Sequence, residues 1–72
     1  MTPEELAVEV RRINRWRELM ISSFSSVLEI PSLGQPLTDL GLIGETGLAT
    51  PLGLEVLEIL ERRFGKPSSK VA

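Results

Sequence analysis

The sequence TPLGLEVLEILERRFG, residues 50–65, contains the clearest helix of the chain and a signal for each of its ends. Thr50 is a residue type that caps helix amino termini, and proline is favoured at the first helical position after a cap. Apolar residues then recur at intervals of three and four, and Gly65 followed by Pro67 marks the stop. We therefore predict a helix over residues 51–64. Its core face is formed by Gly53, Val56, Leu57, Leu60 and Phe64, and it is widened by Leu52 and Ile59.

The amino terminus repeats this start signal. Thr2-Pro3-Glu4-Glu5 has a threonine cap, a proline, and a glutamate three residues after the threonine, which is the arrangement of a capping box. We predict a long amphipathic helix from Pro3 to about residue 28, which must end before Pro31 because the residue preceding a proline avoids helical angles. Arg17 takes the one vacant place in its main apolar stripe. The stripe consists of Leu6, Val10, Ile13, Met20, Phe24 and Val27.

Residues 31–49 connect the two predicted helices and contain two prolines and four glycines. This composition predicts no long regular element, although a turn of helix capped by Thr38 fits residues 38–42. A solvated linker of this length would be polar, so we expect the segment to cover apolar surface. Its apolar residues are Leu33, Leu37, Leu40, Leu42, Ile43 and Leu48.

These signals predict a mainly α fold, with a long helix, an apolar Gly/Pro-rich connection and a shorter helix. With 72 residues the chain forms a single small helical domain, a helical hairpin or bundle fragment, or a subunit of an assembly. Residues 66–72 are polar and terminal, and we expect a flexible tail there.

The composition excludes several kinds of catalytic and metal-binding site. The chain has no Cys and no His, so it lacks the ligands and bases of zinc sites, disulfides and imidazole catalysis. We expect no enzyme, no cofactor and no metal. The glycine series at 41, 44 and 47 has no neighbouring lysine and contains Glu45, which disfavours a phosphate-binding loop.

The charge pattern bears on location and ligands. The net charge of −2, an acidic amino terminus and the lack of a long apolar run predict a soluble, intracellular polypeptide without a membrane span. Four arginines lie within residues 11–17, but a helical wheel distributes them over different faces beside Glu9 and Glu18. They are typical of a solvated, salt-bridged flank, and nucleic acid is an unfavoured ligand. Glu58 and Arg62 form a similar expected pair.

Trp16, Val8 and Leu19 fall on a second apolar face of the first helix, beside Arg12. Trp and Arg dominate interface hot spots, so this face is a candidate partner-binding surface, unless the connecting segment folds back and buries it. Arg17 either extends its guanidinium to water or pairs with a carboxylate on another chain. A second candidate contact consists of Leu40, Leu42, Ile43 and Leu48.

Leu37-Thr38-Asp39-Leu40-Gly41-Leu42, followed by the helix ending in Leu60-Glu61-Arg62-Arg63-Phe64, resembles acyl carrier proteins, in which an Asp-Leu-Gly loop precedes a similar helix. The resemblance covers under half of the chain. It implies a carrier-like helical fold, but the position of the carrier serine is occupied here by Ala49-Thr50-Pro51. No carrier activity follows from it, and Thr50 is explained as a helix cap.

The surplus of apolar residues predicts a function in binding other protein chains. Two helices cannot cover a second apolar helix face and an apolar connection at once. We expect a non-catalytic protein–protein interaction module, a small structural or adaptor subunit that is buried in a larger assembly, or a homo-oligomer formed through the main stripe. The alternatives are an inhibitor or regulator that docks a helix on an enzyme, a nucleic-acid-binding helix, and a degenerate carrier-like domain.

Overall fold

The computed structural model describes residues 1–27 and 31–65, and within these ranges the side chains of all residues but 31 and 33. The fold is mainly helical, as predicted. The expected end of the first helix at residue 28 and the expected tail at 66–72 lie outside the described residues. The helices are α1 (Pro3–Arg12), α2 (Trp16–Ser22), α3 (Pro31–Asp39) and α4 (Pro51–Phe64).

Both predicted helix starts are confirmed. The Thr2 side chain accepts a hydrogen bond from the Glu5 amide at 3.1 Å, and the Glu5 carboxylate accepts one from the Thr2 amide at 3.0 Å. At α4 the Thr50 hydroxyl accepts from the Gly53 amide at 3.0 Å. The same hydroxyl donates to the carbonyl of Gly41 at 2.8 Å, so it also joins α4 to the turn after α3.

The single helix predicted over residues 3–28 is wrong, because the chain forms two helices separated at Asn14. Asn14 has φ 63°, a left-handed conformation that asparagine tolerates better than most residues. The Asn14 amide donates to the Arg11 carbonyl and the Arg15 amide to the Val10 carbonyl, at 3.1 and 3.0 Å. These two bonds form a Schellman motif, which satisfies the last carbonyls of α1.

The connecting segment contains a helix that the glycines and prolines did not predict. α3 spans nine residues with Pro36 inside it, and the turn of helix expected to begin at Thr38 is absent, since Thr38 instead donates its hydroxyl to the Gly34 carbonyl within α3. A second Schellman motif ends α3 at Gly41, whose φ is 80°. It brings Leu37 and Leu42 together, and both are fully buried. Their burial outweighs the unfavourable local propensity.

One hydrophobic core joins all four helices. α1 packs mainly on α4, and α2 contacts both α3 and α4. The connecting segment adds to the core, as predicted, through side chains on both sides of the turn at residue 41. The buried apolar residues are Leu6, Ala7, Val10, Leu19, Leu37, Leu42, Ile43, Val56, Leu57, Ile59 and Leu60.

The tightest contact in this core is between backbones. A Cβ placed on Gly53 would lie 2.1 Å from the carbonyl oxygen of Leu42, a distance that no side chain tolerates. Glycine therefore permits the first turn of α4 to lie directly against the turn that follows α3. An isolated bridge between Ile43 and Ala49 completes this turn.

Candidate interaction surface

The end of α4 meets the end of α1 at an aromatic ring on the surface. Phe64, the last residue of α4, was predicted on the core face, but it is 38% exposed. The Arg11 guanidinium carbon lies 4.1 Å from the centroid of its ring, which is cation–π distance. Trp16 approaches the ring edge-on, with centroids 6.3 Å apart. Phe64 is therefore held between a cation and a second aromatic side chain.

Two shallow hollows share Val8, which is 53% exposed, and the Phe64 ring lines the first of them. The first, of about 320 Å³, is lined by Val8, Arg11, Arg12 and Phe64. The second, of about 440 Å³, is lined by Val8 and Arg63 together with Thr2, Glu4 and Glu5. We call the area formed by Val8, Arg11, Arg12, Arg63 and Phe64 the Phe64 surface.

The arginines of the Phe64 surface differ in their partners. Arg12 donates through Nε to Glu9 at 2.9 Å and also through Nη2. The hydrogen bond from Arg12 lowers the pKa of the Glu9 carboxyl, and the same bond raises the pKa of Arg12. Arg11 and Arg63 have no carboxylate partner among the residues that the structure describes, and both guanidinium groups lie within 6 Å of the Phe64 ring.

Trp16 lies at the border between this surface and the core. It is half-buried and packs against the core cluster. Its indole Nε1 is buried without a hydrogen-bond partner in the described part of the chain. The neighbouring Arg15 and Glu18 form an ion pair at 3.1 Å. Trp16 thus supports the Phe64 ring from the core side, and its own indole N–H is buried.

The candidate partner-binding residues predicted from sequence divide into three groups. Val8, Arg12 and Trp16 are brought together around Phe64. Arg17 and Leu48 are exposed elsewhere, and Leu40 is half-buried against the core. Leu19, Leu42 and Ile43 are buried in the core of the chain itself, so they are removed from the candidate interface. Leu19 enters the core because the break at Asn14 redirects α2.

The predicted self-association stripe is not a continuous surface. Leu6 and Val10 are buried in the chain's own core, and the helix that would align the stripe is interrupted. Ile13, Met20 and Val27 are half-buried. Phe24 is exposed by 73%, but it lies beyond the end of α2.

Three residues of the Phe64 surface, Arg11, Arg63 and Phe64, were missed by sequence reasoning. Arg11 falls on the polar side of the α1 wheel, and Phe64 continues the apolar periodicity of α4. Their contact depends on how α1 crosses α4, which local spacing does not encode. The available signal was the position of Phe64 at the last turn, where a helix face leaves the core.

Within residues 1–27 and 31–65, no group of three or more acidic, His or Cys side chains is arranged to hold a metal ion. None of the helices in this part of the chain has the length and apolar character needed to cross a bilayer. Thr50, at the carrier-serine position in the resemblance to acyl carrier proteins, has its hydroxyl engaged in the α4 cap and at Gly41. No protein-family model, curated protein or solved structure matches the chain.

Proposed function

We propose that the chain is a non-catalytic protein-binding module, a small structural or adaptor subunit, and that a partner protein docks on the Phe64 surface. The observation that carries this proposal is the exposed Phe64 ring with the Arg11 guanidinium 4.1 Å from its centroid. Aromatic and arginine side chains are enriched at the centres of protein interfaces.

The hollow beside the ring supports the same function. It combines an exposed apolar side chain, Val8, with an aromatic ring and two arginines in a volume of about 320 Å³. Such a hollow accepts one or two side chains of a partner. Because Arg11 rests on Phe64 and Trp16 supports the ring, these groups lose less side-chain entropy on binding than free surface residues do.

Binding to a purified partner tests the proposal. Proteins captured on the immobilised wild-type chain are identified, expressed separately and titrated by calorimetry against the wild type, Phe64→Ala and Leu54→Ala. Leu54 is a matched control because it lies on the same helix and is also exposed, by 47%. Circular dichroism establishes that both variants are folded.

We expect Phe64→Ala to weaken binding about 30-fold or more, the effect of losing a hot-spot side chain. Leu54→Ala should change the dissociation constant by less than about threefold. If the partner binds Phe64→Ala as tightly as the wild type, its docking site lies elsewhere and the proposal is wrong.

A further inference from the structure

Five of the six arginines of the chain divide by what lies against them, and the sixth, Arg17, is exposed on α2. Arg12, Arg15 and Arg62 each have a carboxylate three or four residues away within ion-pair distance. The partners are Glu9 for Arg12, Glu18 at 3.1 Å for Arg15, and Glu58 at 3.9 Å for Arg62, the last pair as predicted. Arg11 and Arg63 have the Phe64 ring instead, at 4.1 and 5.8 Å. The Phe64 surface therefore contains two cations without a carboxylate among the described residues.

The contact of Arg11 with the ring leaves its hydrogen-bonding capacity available. A guanidinium that lies over an aromatic ring uses its π-face, whereas its N–H donors lie in its own plane. Those donors match the two oxygens of a carboxylate in a bidentate geometry. Holding the guanidinium on Phe64 thus prepares Arg11 to receive a carboxylate from outside.

Apolar surface lies directly beside this cation. Val8 and the Phe64 ring line the same hollow as Arg11 and Arg12, and Val8 is exposed over more than half of its surface. A ligand that places a carboxylate on Arg11 therefore brings an adjacent apolar side chain over Val8. This juxtaposition suits an acidic residue next to a leucine-like residue in a peptide segment.

The surroundings disfavour a long polyanion. Glu4 and Glu5 line the hollow that contains Arg63, and Glu9 already neutralises Arg12. The chain as a whole carries a net charge of −2. A nucleic acid or an anionic membrane extends beyond the two free arginines and meets these carboxylates, whereas a short acidic segment does not.

We propose that the Phe64 surface binds an acidic–apolar segment of the partner protein, with a partner carboxylate on the guanidinium of Arg11 and a neighbouring apolar side chain against Val8 and Phe64. This inference rests on the proposed function of the same surface, and it specifies the chemistry of the partner.

A synthetic peptide tests it with the full chain. The probe is the acetylated and amidated sequence Gly-Glu-Leu-Glu-Gly, and its control has glutamine for both glutamates. Binding is followed by the Nε–H resonance of Arg11 in ¹⁵N NMR and by the fluorescence of Trp16, the sole tryptophan, whose ring lies 6.3 Å from Phe64. Arg11→Gln is compared with Arg17→Gln, which removes an exposed arginine of α2.

We expect saturable binding of the acidic peptide in the millimolar range or tighter, with the Arg11 Nε–H signal shifted. The glutamine peptide and the Arg11→Gln variant should bind at least about tenfold more weakly, and Arg17→Gln should bind like the wild type. Added salt should weaken the binding of the acidic peptide and leave that of the glutamine peptide unchanged.

Three results would overturn the inference: no saturable shift at about 10 mM peptide, equal affinity for the two peptides, or tighter binding of a single-stranded oligonucleotide at the same salt concentration. Each leaves the proposed function standing if the purified partner still requires Phe64. A partner indifferent to Phe64→Ala instead refutes the proposed function, whatever the peptide does.

Discussion

Residues 2–22 and residues 50–64 begin in the same way and continue differently. Each region starts with a Thr-Pro pair whose threonine caps the first turn. α4 then runs without interruption for fourteen residues, whereas α1 stops after ten and the chain resumes as α2. Local capping chemistry therefore determines where a helix begins, and it does not determine how far the helix extends.

The difference in length follows from what each helix buries. α4 lies against α1 and α2, and its buried face continues from Gly53 to Leu60. A straight helix through Asn14 would place Arg17 in line with Leu6 and Val10, so its continuation would bring a charge toward the core. The turn at Asn14 leaves Arg17 exposed and lets Leu19 be buried instead.

The largest expected effect comes from a substitution in α4, the uninterrupted helix. Gly53→Ala places a methyl group 2.1 Å from the Leu42 carbonyl oxygen, so α4 must move away from the turn before it. We expect a loss of about 3 kcal/mol or more in the free energy of unfolding, measured by urea titration with circular dichroism.

Gly44→Ala is the matched control for this substitution. Its added Cβ would be 3.6 Å from the nearest atom, a side-chain carbon of Thr50, which is ordinary contact. The control should change stability by less than about 1 kcal/mol. Equal urea midpoints for the two variants would show that the close approach at Gly53 does not exist in solution.

The two threonine caps should differ in strength. Thr50→Ala removes a cap bond to the Gly53 amide and a bond to the Gly41 carbonyl, so we expect a loss of about 2 kcal/mol. Thr2→Ala removes one cap bond at an exposed end and should cost about 1 kcal/mol or less. Thermal and urea unfolding measure both, and a larger loss for Thr2→Ala contradicts the prediction.

Substitutions of Asn14 test the helix break by the sign of the change in the free energy of unfolding. In the left-handed conformation at Asn14, alanine is disfavoured, so Asn14→Ala should destabilise the chain by about 1 kcal/mol, and Asn14→Gly should be neutral or stabilising. In a continuous helix the order reverses, because alanine is the better helix former and glycine the worse one. Urea titration of the two variants therefore distinguishes the broken helix from the long one.

The smallest expected effect is the pH dependence of stability that comes from the Arg12–Glu9 pair. Arg12 lowers the folded-state pKa of Glu9, so the pair contributes stability above the unfolded-state pKa of glutamate, about 4.3. That contribution is lost as the pH falls through the lowered pKa of the folded state. An NMR titration should show the Glu9 carboxyl below its usual range in the wild type and within that range in Arg12→Gln. The control Arg62→Gln should leave Glu9 unchanged.

Local signals predicted much of this fold. The caps at Thr2 and Thr50, the extent of α4 and its stop at Gly65 depend on residues close together in sequence, and the structure agrees with them. Asn14 is a local signal of the same kind, because asparagine tolerates the left-handed conformation at helix ends. The apolar periodicity continues across Asn14 and predicts the longer helix instead.

Other features depend on distant contacts. α3 contains Pro36, a residue that local propensity excludes from helix interiors, and it forms where Leu37 is buried by the rest of the chain. The grouping of Val8 with Arg12 follows from their spacing of four on α1. Trp16 joins Val8 and Arg12 through its contact with the Phe64 ring, which is distant in sequence, and a helical wheel does not show such a contact.

The packing of α1 on α4 also has a consequence for synthesis. These are the first and last helices of the described residues, so α1 lacks its main packing partner until α4 has left the ribosome. The amide of Ala49 likewise bonds the carbonyl of Ser22 across the whole of α3. Folding must therefore follow translation of the α4 segment, and a nascent chain paused before it exposes the apolar face of α1 to chaperones.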